Sequence, residues 1–353
     1  MNKSKLFIIL VIFLGLGIGA SYFYKNGKFK ILGNSINNQN SNNQNNQINE
    51  NPLSIMAMRN RTYPGSDLTV EQTLSSGSNY NRYVASYKSD GLKIYGLLTI
   101  PKGQKPQNGW PVIIFNHGYI QPDLYKTTER YVAYVDEFTR NGYIIFKPDY
   151  RGNGNSEGQP EGAYYSPAYA TDVLNALTTL KNYKDANPEK IGMWGHSMGG
   201  NITLRDIVVD TKDIKAAVIW GGVVGSYDDL MNNWQRKVKF QPPARELALR
   251  NNFRQKLIDT YGTPTTNPEF WQAVDPTYHL ADITTSVQLH TGGNDEEVPV
   301  AFSVSLKDKL EKAGKTVEYY NYPGGDHNIS LPNFELAMRR SLDFFNKYLK
   351  GGE

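Results

Sequence analysis

Cysteine is absent from all 353 residues. That excludes disulfides, thiolate metal sites, a cysteine nucleophile and a lipidated cysteine, and it leaves the compartment open. Histidine is scarce, with five in the chain, so a general base must come from a short list. No H-E-x-x-H or other ligand cluster of recognisable spacing is present, and no metal or organic cofactor is implied. Internal repeats are missing too. Most of the chain also lacks an excess of either charge. Five of its 38 basic residues (Lys3, Lys5, Lys25, Lys28, Lys30) fall in the first 49 positions, which carry no acid; without them the formal charge drops from +4 to −1. A body so close to neutral lacks the basic footprint of a nucleic-acid binder. The length is ample for a full hydrophobic core, and α/β folds of about 250 residues commonly form one domain.

What is present begins with an apolar run from Leu6 to Ala20, extended by Ser21-Tyr22-Phe23-Tyr24 and flanked by lysines. A run of about 19 residues suffices for one membrane span, with tyrosines at its outer interface. Gly17, Gly19 and Ala20 also allow a cleaved signal peptide. The run is longer than a signal core and has no clean A-x-A site, so the expectation is an uncleaved signal anchor over residues 1–32. The short N-terminal tail is expected to stay inside, with the catalytic body outside the cytoplasm; secretion after cleavage is the alternative. Residues 33–51 are almost all Asn, Gln and Ser. They cannot bury enough apolar surface to offset ordering entropy, and read as a flexible tether. From 52 to 82 the pattern is weak. Leu53, Ile55, Met56 and Met58 are expected to form a short helix packed on the body.

A regular rhythm follows, and residues 83–353 read as one catalytic domain. Two strand-like runs, Arg82–Tyr87 and Leu92–Ile100, flank the turn signal Ser89-Asp90-Gly91 and predict an antiparallel opening hairpin. Apolar strands are predicted at 111–116, 143–148, 190–194, 215–220, 286–291 and 317–322. Helical spacing is predicted at 128–141, 167–183, 201–209, 300–313 and 334–349. Alternating strands and helices imply an α/β fold with a doubly wound, mainly parallel sheet, whose ligands sit beyond the carboxyl ends of the strands. The stretch at about 225–283 breaks the rhythm and carries Trp234, Phe240, Phe253, Phe270 and Trp271. It reads as a helical cap insertion shaping a substrate pocket, or else as extra helices against the side of the core.

The chemistry centres on Gly195-His196-Ser197-Met198-Gly199, set between a predicted strand and a predicted helix. A serine hydroxyl is a poor nucleophile until it is exposed, oriented and paired with a base. The G-x-S-x-G turn does this in the nucleophile elbow of α/β-hydrolases. Of the five histidines, His327 follows the last predicted strand in a glycine-rich loop and is the candidate base. His196 lies inside the elbow, where local geometry should turn it away from Ser197. The orienting acid should follow the preceding strand. Asp295 is the leading candidate there, with Glu296 and Glu297 behind it. The order Ser197, Asp295, His327 is that of α/β-hydrolases. Oxyanion donors are expected from the backbone amides of Met198 and Tyr119. The Tyr119 or His117 side chain is a further candidate donor, with no choice between them.

These segments, with His117-Gly118-Tyr119, Asp149-Tyr150-Arg151-Gly152, Gly195 to Gly200, Asn294 to Pro299 and Tyr322 to His327 in order, resemble the catalytic domain of the prolyl oligopeptidase family. Related esterases of the dienelactone-hydrolase and acetyl-xylan-esterase type share much of the pattern. The resemblance covers residues 83 to 350. It implies an α/β-hydrolase fold and a serine hydrolase with Ser197 as nucleophile, Asp295 as acid and His327 as base. Classical oligopeptidases carry a large β-propeller before this domain, whereas only about 80 residues precede it here. The expectation is therefore a carboxylic-ester hydrolase acting on a small ester, with a short-peptide peptidase as the alternative. A catalytically silent binding module is the rival from another class. Asn201-Ile202-Thr203 and Asn328-Ile329-Ser330 match glycosylation acceptors, but a glycan at either would obstruct the site, so a bacterial-type export route is expected.

Overall fold

The computed structural model describes residues 51–161 and 164–351. The anchor run and nearly all of the Asn/Gln-rich tether lie outside the described residues. Among those described, no helix is long and apolar enough to cross a membrane.

Nine strands form one sheet: β1 (Thr69–Leu74), β2 (Tyr80–Ser89), β3 (Leu92–Pro101), β4 (Trp110–Asn116), β5 (Ile144–Pro148), β6 (Ala186–His196), β7 (Ile214–Trp220), β8 (Ser286–Gly292) and β9 (Val317–Tyr322). Their spatial order is β1-β2-β3-β5-β4-β6-β7-β8-β9. The first three strands and the β3–β5 pair are antiparallel; from β5 through β9 every pairing is parallel. This is the α/β-hydrolase fold, with the predicted hairpin Ser89↔Leu92 in place.

The central strands β4, β5, β7 and β8 are buried on both sides because helices cover both faces. On one face Val112 and Ile114 of β4 pack beneath α3 (Ala168–Lys181), α4 (Met198–Val209) and α7 (Val300–Lys312). On the other, Ile113 and Phe115 meet α2 (Val132–Arg140) and α8 (Phe334–Phe345). Each such side chain, fully buried, stabilises the fold by about 1.5–3 kcal/mol.

The N-terminal stretch divides the expectations. α1 (Ile55–Asn60) forms with Ser54 as its N-cap, and Ile55 and Met58 are buried while Met56 is exposed. β1 was not anticipated. Its sequence Thr-Val-Glu-Gln-Thr-Leu is exposed at nearly every position and shows no apolar alternation. Backbone pairing to β2 holds it, along with Glu71, which accepts from Ser86 and pairs with Lys93 at 2.7 Å. In the 225–283 stretch, α5 (Ala244–Tyr261) buries none of its residues, whereas α6 (Pro268–Val274) packs Phe270, Trp271 and Val274 against Tyr227.

Chain order sets the site. After β4 the chain builds β5 on one flank, then returns to build β6 on the other. The crevice at such a switch point lies outside the carboxyl ends of β4 and β6. Those ends deliver His117-Gly118-Tyr119 and Ser197.

Candidate active site

Ser197 joins β6 to α4 with φ 54° and ψ −117°. A non-glycine residue there costs about 1–3 kcal/mol and must be over-determined by its surroundings. It is. The Ser197 N–H donates to the Trp220 carbonyl at 3.0 Å, and the Ser197 carbonyl accepts from Gly200 and Val223 at 3.0 Å each. The two flanking glycines answer to close packing. A Cβ on Gly199 would lie 1.9 Å from the Asn116 carbonyl oxygen, and one on Gly195 would lie 2.4 Å from Thr203 Oγ1. Ser197 stays half-exposed in an otherwise buried run.

Loops after β8 and β9 bring Asp295 and His327 together. Asp295 Oδ1 accepts from the amides of Glu297 (2.8 Å) and Val298 (2.9 Å), while Oδ2 lies 2.8 Å from His327 Nδ1. With Nδ1–H donating to the carboxylate, Nε2 is left as the basic nitrogen. Glu296 and Glu297 make no such contact. Glu296 accepts the Lys237 amide through its carbonyl, and Glu297 accepts the Trp234 indole N–H through its own. His327 and Ser197 line one cavity of ≈ 540 Å³.

The two candidate amide donors are placed differently. Met198 opens α4, so its N–H is among those with no intrahelical acceptor. Tyr119 lines the cavity. Neither side chain offered as a further donor is available. His117 is fully buried, stacked between Tyr125 (4.6 Å) and Tyr150 (4.4 Å), with Nδ1 2.7 Å from the Gly118 carbonyl. Burial, reinforced by the Lys147 charge, lowers its pKa to about 3. The Tyr119 hydroxyl donates to Glu246 of α5 at 2.6 Å.

His196 is engaged elsewhere, as expected. Its Nε2–H donates to the His327 carbonyl at 3.1 Å, and Nδ1 accepts from the Tyr131 hydroxyl at 2.8 Å. Burial, with the neighbouring His327, lowers its pKa to about 3. The Tyr131 oxygen in turn accepts the Gly118 N–H at 2.9 Å. A continuous chain of hydrogen bonds thus runs from the β4 loop, through Tyr131 and His196, to the backbone of the base. Sequence reasoning missed Tyr131. Its position depends on left-handed backbone at Arg130 and Tyr131, φ 60° and 52°, which no residue pattern announces. His290 and His279 hold structural bonds, to Tyr322 and Gln288 and to the Gln272 carbonyl respectively.

The first acceptor motif is closed to glycan. Asn201 is buried and donates to the Val223 carbonyl at 3.0 Å. Asn328 lines the cavity shared by Ser197 and His327. Among the described residues, no cluster of three or more His, Cys, Asp or Glu side chains could hold a metal.

Residues 130–352 match the model of the prolyl oligopeptidase family. An uncharacterized peptidase of Bacillus subtilis (strain 168), YtmA, is 24% identical over 256 residues, spanning 72% of this chain and 88% of its own length. Acetyl xylan esterase from Paenibacillus sp. R4 shares the fold with a TM-score of 0.63 at 18% identity, over 84% of this chain and 92% of that one. Acylaminoacyl peptidase from Pyrococcus horikoshii does so with a TM-score of 0.60 at 20% identity, over 78% of this chain but 43% of that one. The chain therefore spans most of the first two proteins and under half of the third. With more than half of its residues matched by the family model, on an α/β-hydrolase sheet, the chain belongs to the prolyl oligopeptidase family of serine hydrolases.

Proposed function

We propose that this serine hydrolase is a carboxylic-ester hydrolase working through Ser197, His327 and Asp295. The observation that carries the reading is the Asp295–His327 hydrogen bond beside a cavity shared with a serine held in strained backbone. Ser197 Oγ attacks the ester carbonyl as His327 Nε2 takes its proton. Asp295 fixes the imidazole orientation and stabilises the imidazolium. The amides of Met198 and Tyr119 hold the oxyanion. Collapse expels the alcohol, protonated by His327, and leaves an acyl-serine. A water activated by the same histidine then releases the acid.

Ester chemistry is favoured by the likeness to an esterase over 92% of that protein's length, against 43% for the acylaminoacyl peptidase. The second reading, cleavage of short peptides by the same triad, draws on the family itself and on the 88% of YtmA that is spanned. Placement outside the cytoplasm on an N-terminal anchor rests on the apolar run at residues 6–24. Carbonate extraction of membranes, with the protein retained, would support it.

The direct test treats the full chain and its Ser197→Ala variant with a fluorophosphonate probe. Loss of a triad serine can lower turnover by on the order of 10⁶, so labelling of the parent alone is expected. Matched acyl esters and aminoacyl anilides then separate esterase from peptidase. Absence of labelling in folded parent would sink the hydrolase mechanism and favour a silent binding module.

A further inference from the structure

The insertion between β7 and β8 brings positive charge to the cavity that Ser197 and His327 line. Arg236 is half-buried there, its guanidinium 4.1 Å from the Phe240 ring centroid and 4.5 Å from that of Trp234. The rings attract the cation but offer its five N–H donors no conventional acceptor. Among the described residues no carboxylate, carbonyl or hydroxyl takes a hydrogen bond or ion pair from Arg236. Arg250 stands on the same wall, 4.5 Å over the Tyr119 ring and 5.0 Å over Phe240. Its partner Glu246, at 3.5 Å, is shared with the Tyr119 hydroxyl. Arg130 also lines the cavity, so three arginines face a single lining acid, Glu297.

Glu297 and Asp295 attract the Arg236 charge through space without bonding to it. A partly desolvated guanidinium whose N–H donors are unfilled is unfavourable, and arginine cannot relieve it by losing its proton. An arriving carboxylate would supply the missing acceptor in bidentate geometry. From this geometry we infer that the substrate carries an anionic group, a carboxylate, a short linker away from the scissile carbonyl, and that Arg236 is the residue that selects it. The inference rests on the Ser197 hydrolase reading and names its substrate class. Phe240 provides apolar wall for the linker, and it and Trp234 flank the guanidinium. A lysine would lack both the plane and the fork.

The test uses the full chain and two matched ester pairs. One pair is mono-4-nitrophenyl adipate against 4-nitrophenyl hexanoate, with the carboxylate in the acyl part. The other is the hexanoate ester of 4-hydroxybenzoate against that of 4-hydroxybenzamide, with the carboxylate in the leaving group. Hydrogen bonds to a charged group contribute about 1.5–3 kcal/mol, which corresponds to a preference of about 10- to 100-fold in kcat/KM. In at least one pair the anionic ester is expected to be preferred by that factor. The ratio should collapse towards unity in Arg236→Met, recover only in part in Arg236→Lys, and shrink as salt is raised. Circular dichroism of each variant confirms folding. Equal or better turnover of the neutral ester in both pairs would overturn the inference, as would a preference that survives Arg236→Met. So would a fluorophosphonate-labelled protein that turns over neither pair. Labelling of Ser197 in the same preparation reports on the hydrolase reading separately. A folded protein that takes no label overturns both, whereas a labelled one without anion preference overturns this inference alone.

Discussion

Tyr131 shows how much one hydroxyl can organise. It accepts the Gly118 N–H and donates to His196 Nδ1, whose other nitrogen holds the His327 carbonyl. The chain needs a neutral His196, and burial keeps it so down to a pH of about 3. Tyr131→Phe keeps the ring but leaves the Gly118 N–H and His196 Nδ1 without a partner. Leaving a buried polar group unsatisfied costs about 1–3 kcal/mol. The expected result is a lower urea midpoint and a kcat reduced by about tenfold, with KM changed by less than about threefold, because the loss falls on loop placement rather than on substrate binding. Unchanged kcat with a lowered midpoint would mean that the hydroxyl serves stability alone. Ser197, Asp295 and His327 stood out in the sequence as candidates because each sits in a motif next to a strand end. Tyr131 was not, since its role depends on two consecutive left-handed residues and on partners 13 and 65 positions away.

At the scale of the element, the end of β5 carries charge where a buried strand should be apolar. Lys147 is fully buried and donates to the Glu129 carbonyl at 3.0 Å; burial lowers its pKa to about 8. Asp149 just beyond the strand is also buried. Burial raises its pKa to about 6, against the opposing hydroxyls of Thr127 and Tyr125 and the Lys147 charge. A carboxyl whose folded pKa exceeds its unfolded value of 3.8 binds its proton more tightly when folded. Its contribution is fully present below pH 3.8 and is lost as pH rises through about 6. The shift corresponds to about 3 kcal/mol. Other carboxylates titrate in the same window, so the informative quantity is the stability of the wild type minus that of Asp149→Asn. That difference should fall by most of this amount between pH 4 and 7 in urea titrations, and a flat difference would contradict the assignment. Hydrophobic runs revealed the parallel strands and most helices because both faces of this sheet are covered. β1, at an edge, escaped notice because it is exposed at nearly every position.

For the whole molecule, one ion-pair network ties together parts distant in sequence. Arg151, in the loop after β5, pairs with Asp172 of α3 at 2.7 Å and with Asp90 of the β2–β3 turn at 3.1 Å. Asp172 is fully buried and also accepts from the Ser89 hydroxyl and the Arg151 amide. Hairpin, sheet and helix layer are thereby locked beside the loop that carries Tyr150, which stacks on His117. Removing one partner of a buried pair leaves the other charge uncompensated and costs about 3–5 kcal/mol. Arg151→Met should show that loss in chemical denaturation, and replacing Asp172 by Asn in the same background should restore part of it. A loss below about 1 kcal/mol would place the pair among weak surface contacts.

The sequence by itself determined the sheet, its hairpin opening, the order of the catalytic candidates and the family, because periodicity and motif chemistry are local properties of the chain. The Asp149-Tyr150-Arg151-Gly152 segment was recognisable as a motif, yet its role as a charged clamp depended on Asp172 and Asp90 arriving from other elements. Tertiary structure alone decided that Asp295 rather than Glu296 or Glu297 bonds to His327, that the His117 side chain is buried and the Tyr119 hydroxyl is bonded to Glu246, and that Arg236 lines the same cavity as Ser197 without a hydrogen-bond partner. These are through-space relations. They are set by where loops of different strands converge at one end of the sheet, and no pattern along the chain encodes that convergence.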